Sequence, residues 1–72
     1  MNIQNIEMGL TIKGLREEKA ISQSQLAELL GVKQNTISNY ENNSARPSYE
    51  VLVKLADIFD VSTDYLLGRE DF

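Results

Sequence analysis

QSQLAELLGVKQNTISNYEN, residues 23–42, reads as two short helices joined by a tight turn. Leu26, Ala27, Leu29 and Leu30 mark the first helix. Ile37 and Tyr40, three apart with polar residues between them, mark the second. Gly31 stands where the first helix must stop, and glycine accepts without a steric penalty the left-handed backbone such a stop often needs. Val32 is expected to turn inward before the second helix begins.

On the upstream side, Met8, Ile12 and Leu15 recur at i, i+4 and i+7, which predicts a helix over 7–19 with one buried face. Gly14 inside it costs about 1 kcal/mol relative to alanine, and marks either a close contact or nothing. Ser22 and Gln25 have the spacing of a capping box for the helix that starts at Gln23. On the downstream side, residues 42–47 form a polar loop, and Pro47 suits the start of a fourth helix over 48–59. Val51, Leu52, Leu55, Ala56 and Phe59 give that helix its apolar face. Ser62 is positioned to cap a fifth helix over 63–67, with Asp64 in its first turn and Gly68 at its end. Tyr65, Leu66 and Leu67 are too many apolar side chains for so small a core. Some are expected either to plug the core or, with Phe72, to form a dimer contact. The expected fold is all-α, a bundle of five short helices.

The spacing within 23–42 is that of a helix-turn-helix, whose second helix enters a DNA major groove. The stretch resembles the Cro/repressor type of this unit, the xenobiotic-response-element family. Ala27 matches the small residue of its first helix, Gly31 its turn, and Ile37 the aliphatic residue of its second helix. Leu26, Leu30, Val32 and Tyr40 fall on its other apolar positions, and the flanks LREEKAISQSQLAELLGV, YENNSARPS and STDYLLGR agree as well. The resemblance covers residues 8–69 and implies a lambda-repressor-like DNA-binding domain there, with an arm over 1–7 and a tail over 70–72.

Site residues follow from the same resemblance. The recognition helix is expected over 34–41, with Ile37 and Tyr40 inward and Lys33, Gln34, Asn35, Thr36, Ser38 and Asn39 on the outer arc. Gln34, Asn35 and Asn39 are the foremost base readers, followed by Thr36 and Ser38, since amide and hydroxyl side chains bond base edges. Asn, Ser and Thr are poor helix formers, so their number on one short helix fits a role other than helix stability. Lys33, Ser44 and Arg46 are expected at DNA phosphates. Gln23 is expected both to touch a phosphate and to brace the first residue of the recognition helix, or else to be an exposed first-turn glutamine. Asn43 is read equally as a phosphate contact or as a left-handed turn residue. Arg16 and Glu41 are expected to pair across the first and third helices, fixing one against the other, unless they are unrelated surface charges.

The chain has 72 residues with a net charge of −4 and no cysteine or histidine. A single small domain follows, without disulfide staples, and metal sites or nucleophilic dyads built on Cys or His are excluded. The glycines at 9, 14, 31 and 68 form no phosphate-cradling loop, and Asp57, Asp60 and Asp64 read as a solvated acidic face. No catalytic residue, cofactor or enzyme activity is expected. Short apolar runs and the lack of a signal pattern predict a cytoplasmic protein with no membrane partner. Acidity counts against DNA at first sight. Its distribution does not, because residues 29–49 hold one acid, Glu41, against Lys33 and Arg46. The resemblance implies a transcription regulator, read as a repressor, that binds double-stranded DNA as a homodimer on an inverted repeat. Its recognition helices would lie about 34 Å apart. An antitoxin or restriction controller would be a variant of that role. The alternative is a module that binds a protein partner and keeps the fold with weak or no DNA binding.

Overall fold

The computed structural model describes residues 8–69, so the arm over 1–7 and the tail over 70–72, Phe72 included, lie outside the described residues. Five helices follow one another: α1 (Met8–Glu18), α2 (Gln23–Leu30), α3 (Gln34–Glu41), α4 (Tyr49–Phe59) and α5 (Thr63–Leu66), with no strand among the described residues. Each sends one large side chain to a common centre. Ile12, Leu26, Ile37, Leu55 and Leu66 are the largest side chains sealed from solvent. Ala27, Leu30, Tyr40, Leu52, Ala56 and Phe59 complete the core, and Met8, Leu15, Ile21, Val32, Val51 and Val61 pack at its rim. Burying such side chains is the main favourable term for so short a chain. No described helix is long and apolar enough to cross a membrane.

Three helices start alike. The hydroxyls of Ser22, Ser48 and Ser62 accept the N–H of Gln25, Val51 and Tyr65 at 3.0, 3.2 and 2.9 Å. At α2 the cap is reciprocal, because Gln25 Oε1 accepts the Ser22 N–H at 2.7 Å. Ser48 is therefore a cap and not the first helical residue. Pro47 correspondingly lies in the lead-in to α4 rather than in its first turn. Likewise Leu67 closes α5 from the cap position instead of extending it.

All five helices also stop alike. Ala20, Gly31, Asn43, Asp60 and Gly68 have left-handed backbones, with φ of 57°, 73°, 64°, 57° and 75°. The residue after each donates its N–H back five residues, Ile21 to Arg16, Val32 to Ala27, Ser44 to Asn39, Val61 to Ala56 and Arg69 to Asp64, at 2.8–3.2 Å. This is the Schellman stop, and the aliphatic Ile21, Val32 and Val61 that follow three of the turns pack against the core. The glycine stops are the ones the sequence announces. Ala20 adopts the same conformation at a position where an L side chain is strained. Ala20→Gly should therefore raise stability by about 0.5–1 kcal/mol, read as a higher urea midpoint at unchanged slope. An unchanged or lower midpoint would mean that Ala20 bears no strain.

The two glycines of α1 divide differently from expectation. A Cβ on Gly14 would meet nothing within 4 Å, so this residue marks no close contact. Gly9 is buried, and a Cβ there would run into the Glu41 carbonyl oxygen and lie 2.8 Å from that of Tyr40. Helix α1 thus rests directly on the backbone of α3 at Gly9. Of the three C-terminal apolar residues, Leu66 enters the core while Tyr65 and Leu67 stay half-buried.

Candidate nucleic-acid interface

Helix α3 is short and two-sided. Ile37 and Tyr40, with Glu41, are buried. Gln34 and Asn35 are exposed, as is Lys33 at the N-cap, while Thr36, Ser38 and Asn39 are half-buried on the rest of the outer arc. Unlike α2, α4 and α5, this helix has no side-chain cap at its N-terminus. The N–H groups of Gln34 and Asn35, at the positive end of its dipole, are thus left without a side-chain partner next to Lys33.

Glu41 is held from two other helices. Arg16 Nε donates to its Oε2 at 2.6 Å and Arg16 Nη2 to its Oε1 at 3.2 Å. Arg16 Nη1 meanwhile donates to the Ile21 carbonyl at 2.8 Å, tying the same guanidinium to the stop of α1. Gln23 Nε2, from α2, donates to Glu41 Oε1 at 3.0 Å. The pair is largely shut from water, with 12% of the Arg16 side chain and 5% of the Glu41 side chain exposed. The hydrogen bond to the Glu41 carboxylate holds the Arg16 guanidinium above its ordinary pKa, although burial pushes the other way. Among the described residues no buried side-chain nitrogen or oxygen lacks a partner.

This network changes the place of Gln23. Its Nε2 donates to Glu41 and not to Gln34, and the residue that reaches Gln34 is Ser24, whose hydroxyl donates to Gln34 Oε1 at 2.9 Å. The two positions are adjacent in the first turn of α2, and only the rotation of α2 against α3 decides which of them faces the recognition helix. Sequence reasoning passed over Ser24 for that reason.

The loop after α3 is similarly particular. Asn43 has the left-handed backbone expected of a turn residue, and its Oδ1 accepts the Gly9 N–H at 3.1 Å. It thereby satisfies a donor at the start of α1, which leaves its NH2 end and one lone pair of Oδ1 for another ligand. The Ser44 N–H is shared between Asn42 Oδ1 and the Asn39 carbonyl, both at 2.9 Å, which pins the loop against α3. Ser44 and Arg46 are exposed. Neither Lys33 nor Arg46 takes part in an ion pair among the described residues. Since the one acid of residues 29–49 is buried against Arg16, the exposed charge of this region is positive.

A family model described as Helix-turn-helix matches residues 12–66. Among curated relatives, the HTH-type transcriptional regulator ImmR of Bacillus subtilis is 36% identical over 66 residues, covering 92% of this chain and 52% of ImmR. The regulator AnsR of the same organism is 48% identical over 56 residues, covering 78% and 48%. The chain spans about half the length of the curated relatives it matches. Among solved structures, the P22 c2 repressor in complex with the synthetic operator 9T superposes with a TM-score of 0.83 at 33% identity, covering 88% of this chain and 96% of that one. SinR, described as the master regulator for biofilm formation and solved in complex with DNA, superposes with a TM-score of 0.75 at 41% identity, covering 83% and 97%.

Proposed function

Given that the chain belongs to the Cro/C1-type helix-turn-helix family of transcription regulators, a family of DNA binders and not of enzymes, we propose that it is a sequence-specific repressor acting on DNA in the cytoplasm. The DNA-binding unit is residues 8–69. Helix α3 enters the major groove, with Gln34, Asn35 and Asn39 at base edges and Thr36 and Ser38 beside them. Lys33, Ser44 and Arg46 meet phosphates, joined by the outer edges of Gln23 and Asn43. Two copies bind an inverted repeat, because a two-fold protein pair matches a palindromic site.

One observation carries this reading. The outer face of α3 bears amide and hydroxyl side chains flanked by Lys33 and Arg46, neither of them in an ion pair among the described residues, while Glu41, the one acid of residues 29–49, is buried. Relatives described as transcriptional regulators and neighbours solved on DNA support it.

Selection of bound duplexes from a random pool tests it. An enriched palindrome is expected, and Gln34→Ala or Asn39→Ala should each relax one half-site position by about 1–3 kcal/mol of discrimination. Arg46→Ala should instead weaken all duplexes alike and lower the slope of log affinity against log salt by about 1. No enrichment even at low salt would overturn groove reading. The acidic balance of the whole chain, −4, would then point to a module that binds another protein.

A further inference from the structure

The side chain of Asn43 is held from a distant part of the chain. Its Oδ1 accepts the Gly9 N–H at 3.1 Å, and so serves as a cap for the first turn of α1 from the loop that follows α3. The backbone of Asn43 is held as well, at φ 64° with its N–H on the Tyr40 carbonyl at 3.2 Å. A peptide N–H can only donate, so the end of the carboxamide that faces Gly9 must be its oxygen. Turning the amide over would set two donors against each other. The NH2 end of this exposed residue is therefore turned away from the Gly9 N–H, in a loop where Ser44 and Arg46 are also exposed.

Resting on the phosphate role proposed above for this loop, we infer that the Gly9 N–H is a positioning group that aims the Asn43 NH2 at a DNA phosphate. DNA binding and the seating of α1 on α3 then strengthen each other. A carboxamide is polarised as a unit. A phosphate oxygen that accepts from the NH2 draws electron density toward Oδ1 and makes it the better acceptor for Gly9. The reverse holds equally, because a coupling between two contacts is reciprocal. A phosphate arriving here also meets little cost of freezing a rotamer, since Gly9 already fixes the side chain.

The test is a double-mutant cycle on affinity for the enriched duplex, at a temperature where every variant is folded. Its members are Gly9→Ala, whose Cβ would push α1 off the α3 backbone, and Asn43→Gly, which keeps the left-handed turn. Asn43→Gly is expected to bind about 3- to 10-fold more weakly than wild type. Gly9→Ala should cost a similar factor on its own and nothing further in the Asn43→Gly background. Should Gly9→Ala fail to fold, the Gly9 amide proton resonance gives the answer. It should move downfield when duplex is added to wild type, and stay in place in Asn43→Asp, which tolerates the same backbone and keeps the acceptor but lacks the NH2. Undiminished affinity in Asn43→Gly, additive losses in the cycle, or equal movement of the Gly9 resonance in wild type and Asn43→Asp would each overturn the inference. DNA binding itself would then still stand on the enriched duplex and on Arg46→Ala. If wild type enriches no duplex, the DNA-binding reading falls and this inference falls with it.

Discussion

Replacing Glu41 with leucine is expected to cost about 3–5 kcal/mol, much of the stability of a domain this size. The charge removed is the partner of a guanidinium that is itself mostly out of water. Its loss strands two donors of Arg16 and the amide of Gln23 at once. The Ile21 carbonyl remains as a partner for Arg16 but carries no neutralising charge. Arg16→Met together with Glu41→Leu should be less damaging than Glu41→Leu alone, since no unpaired charge is then buried and the new side chains can pack. A double-mutant cycle from urea melts reads this as a coupling of more than about 1 kcal/mol. Additive losses would show that the pair does not act as a unit, and that helices α1 and α3 are held by apolar packing alone.

Gly9→Ala is expected to cost about 2–3 kcal/mol or more, the range for forcing extra volume into a packed contact. The atoms a Cβ would strike are the carbonyl oxygens of Glu41 and Tyr40. Backbone cannot rotate aside as a side chain can, so α1 would have to lift from α3. Lifting it would also stretch the bond from the Gly9 N–H to Asn43 and the guanidinium contact with Glu41. Gly14→Ala, in the same helix and facing open space, should instead raise stability by about 0.5–1 kcal/mol through helix propensity. Thermal melts of the two variants should therefore move in opposite directions. A Gly9→Ala variant as stable as wild type would mean that the close approach of α1 to α3 is slack.

The contrast between these glycines shows where sequence reading stops. Aliphatic periodicity placed Ile12, Leu26, Ile37 and Leu55 in the core, because a helix face is a local property, but it did not single out Leu66 from Tyr65 and Leu67. The caps at Ser22 and Ser62 and the stops at Gly31 and Gly68 were legible for the same reason, whereas Ser48 reads from the sequence as helical and is a cap. Gly9 and Gly14 sit five apart in one helix, and what separates them is where a second helix crosses, which no local pattern records. Ala20 and Asp60 take left-handed stops without glycine, because the bonds made by Ile21 and Val61 outweigh their own preference. The pairing of Arg16 with Glu41 was expected only through family resemblance, since the two residues lie twenty-five positions apart. At the candidate interface, the identity of the outer residues of α3 was readable. Which neighbour each one leans on was not, as Gln23 and Ser24 show.

The uniform helix endings bear on how the chain reaches its native state. Each stop is closed by a bond spanning five residues, and three starts by a cap spanning three. Segment lengths are thus set by near neighbours, before distant parts of the chain have met. What remains for the collapsing chain is to dock short preformed rods joined by brief connectors, a search with little loop entropy to overcome. Domains ruled by such short-range pairings fold in about microseconds to milliseconds. A partly made chain of this kind exposes its apolar faces only briefly, and its described residues form no strand whose unpaired edge could draw copies together.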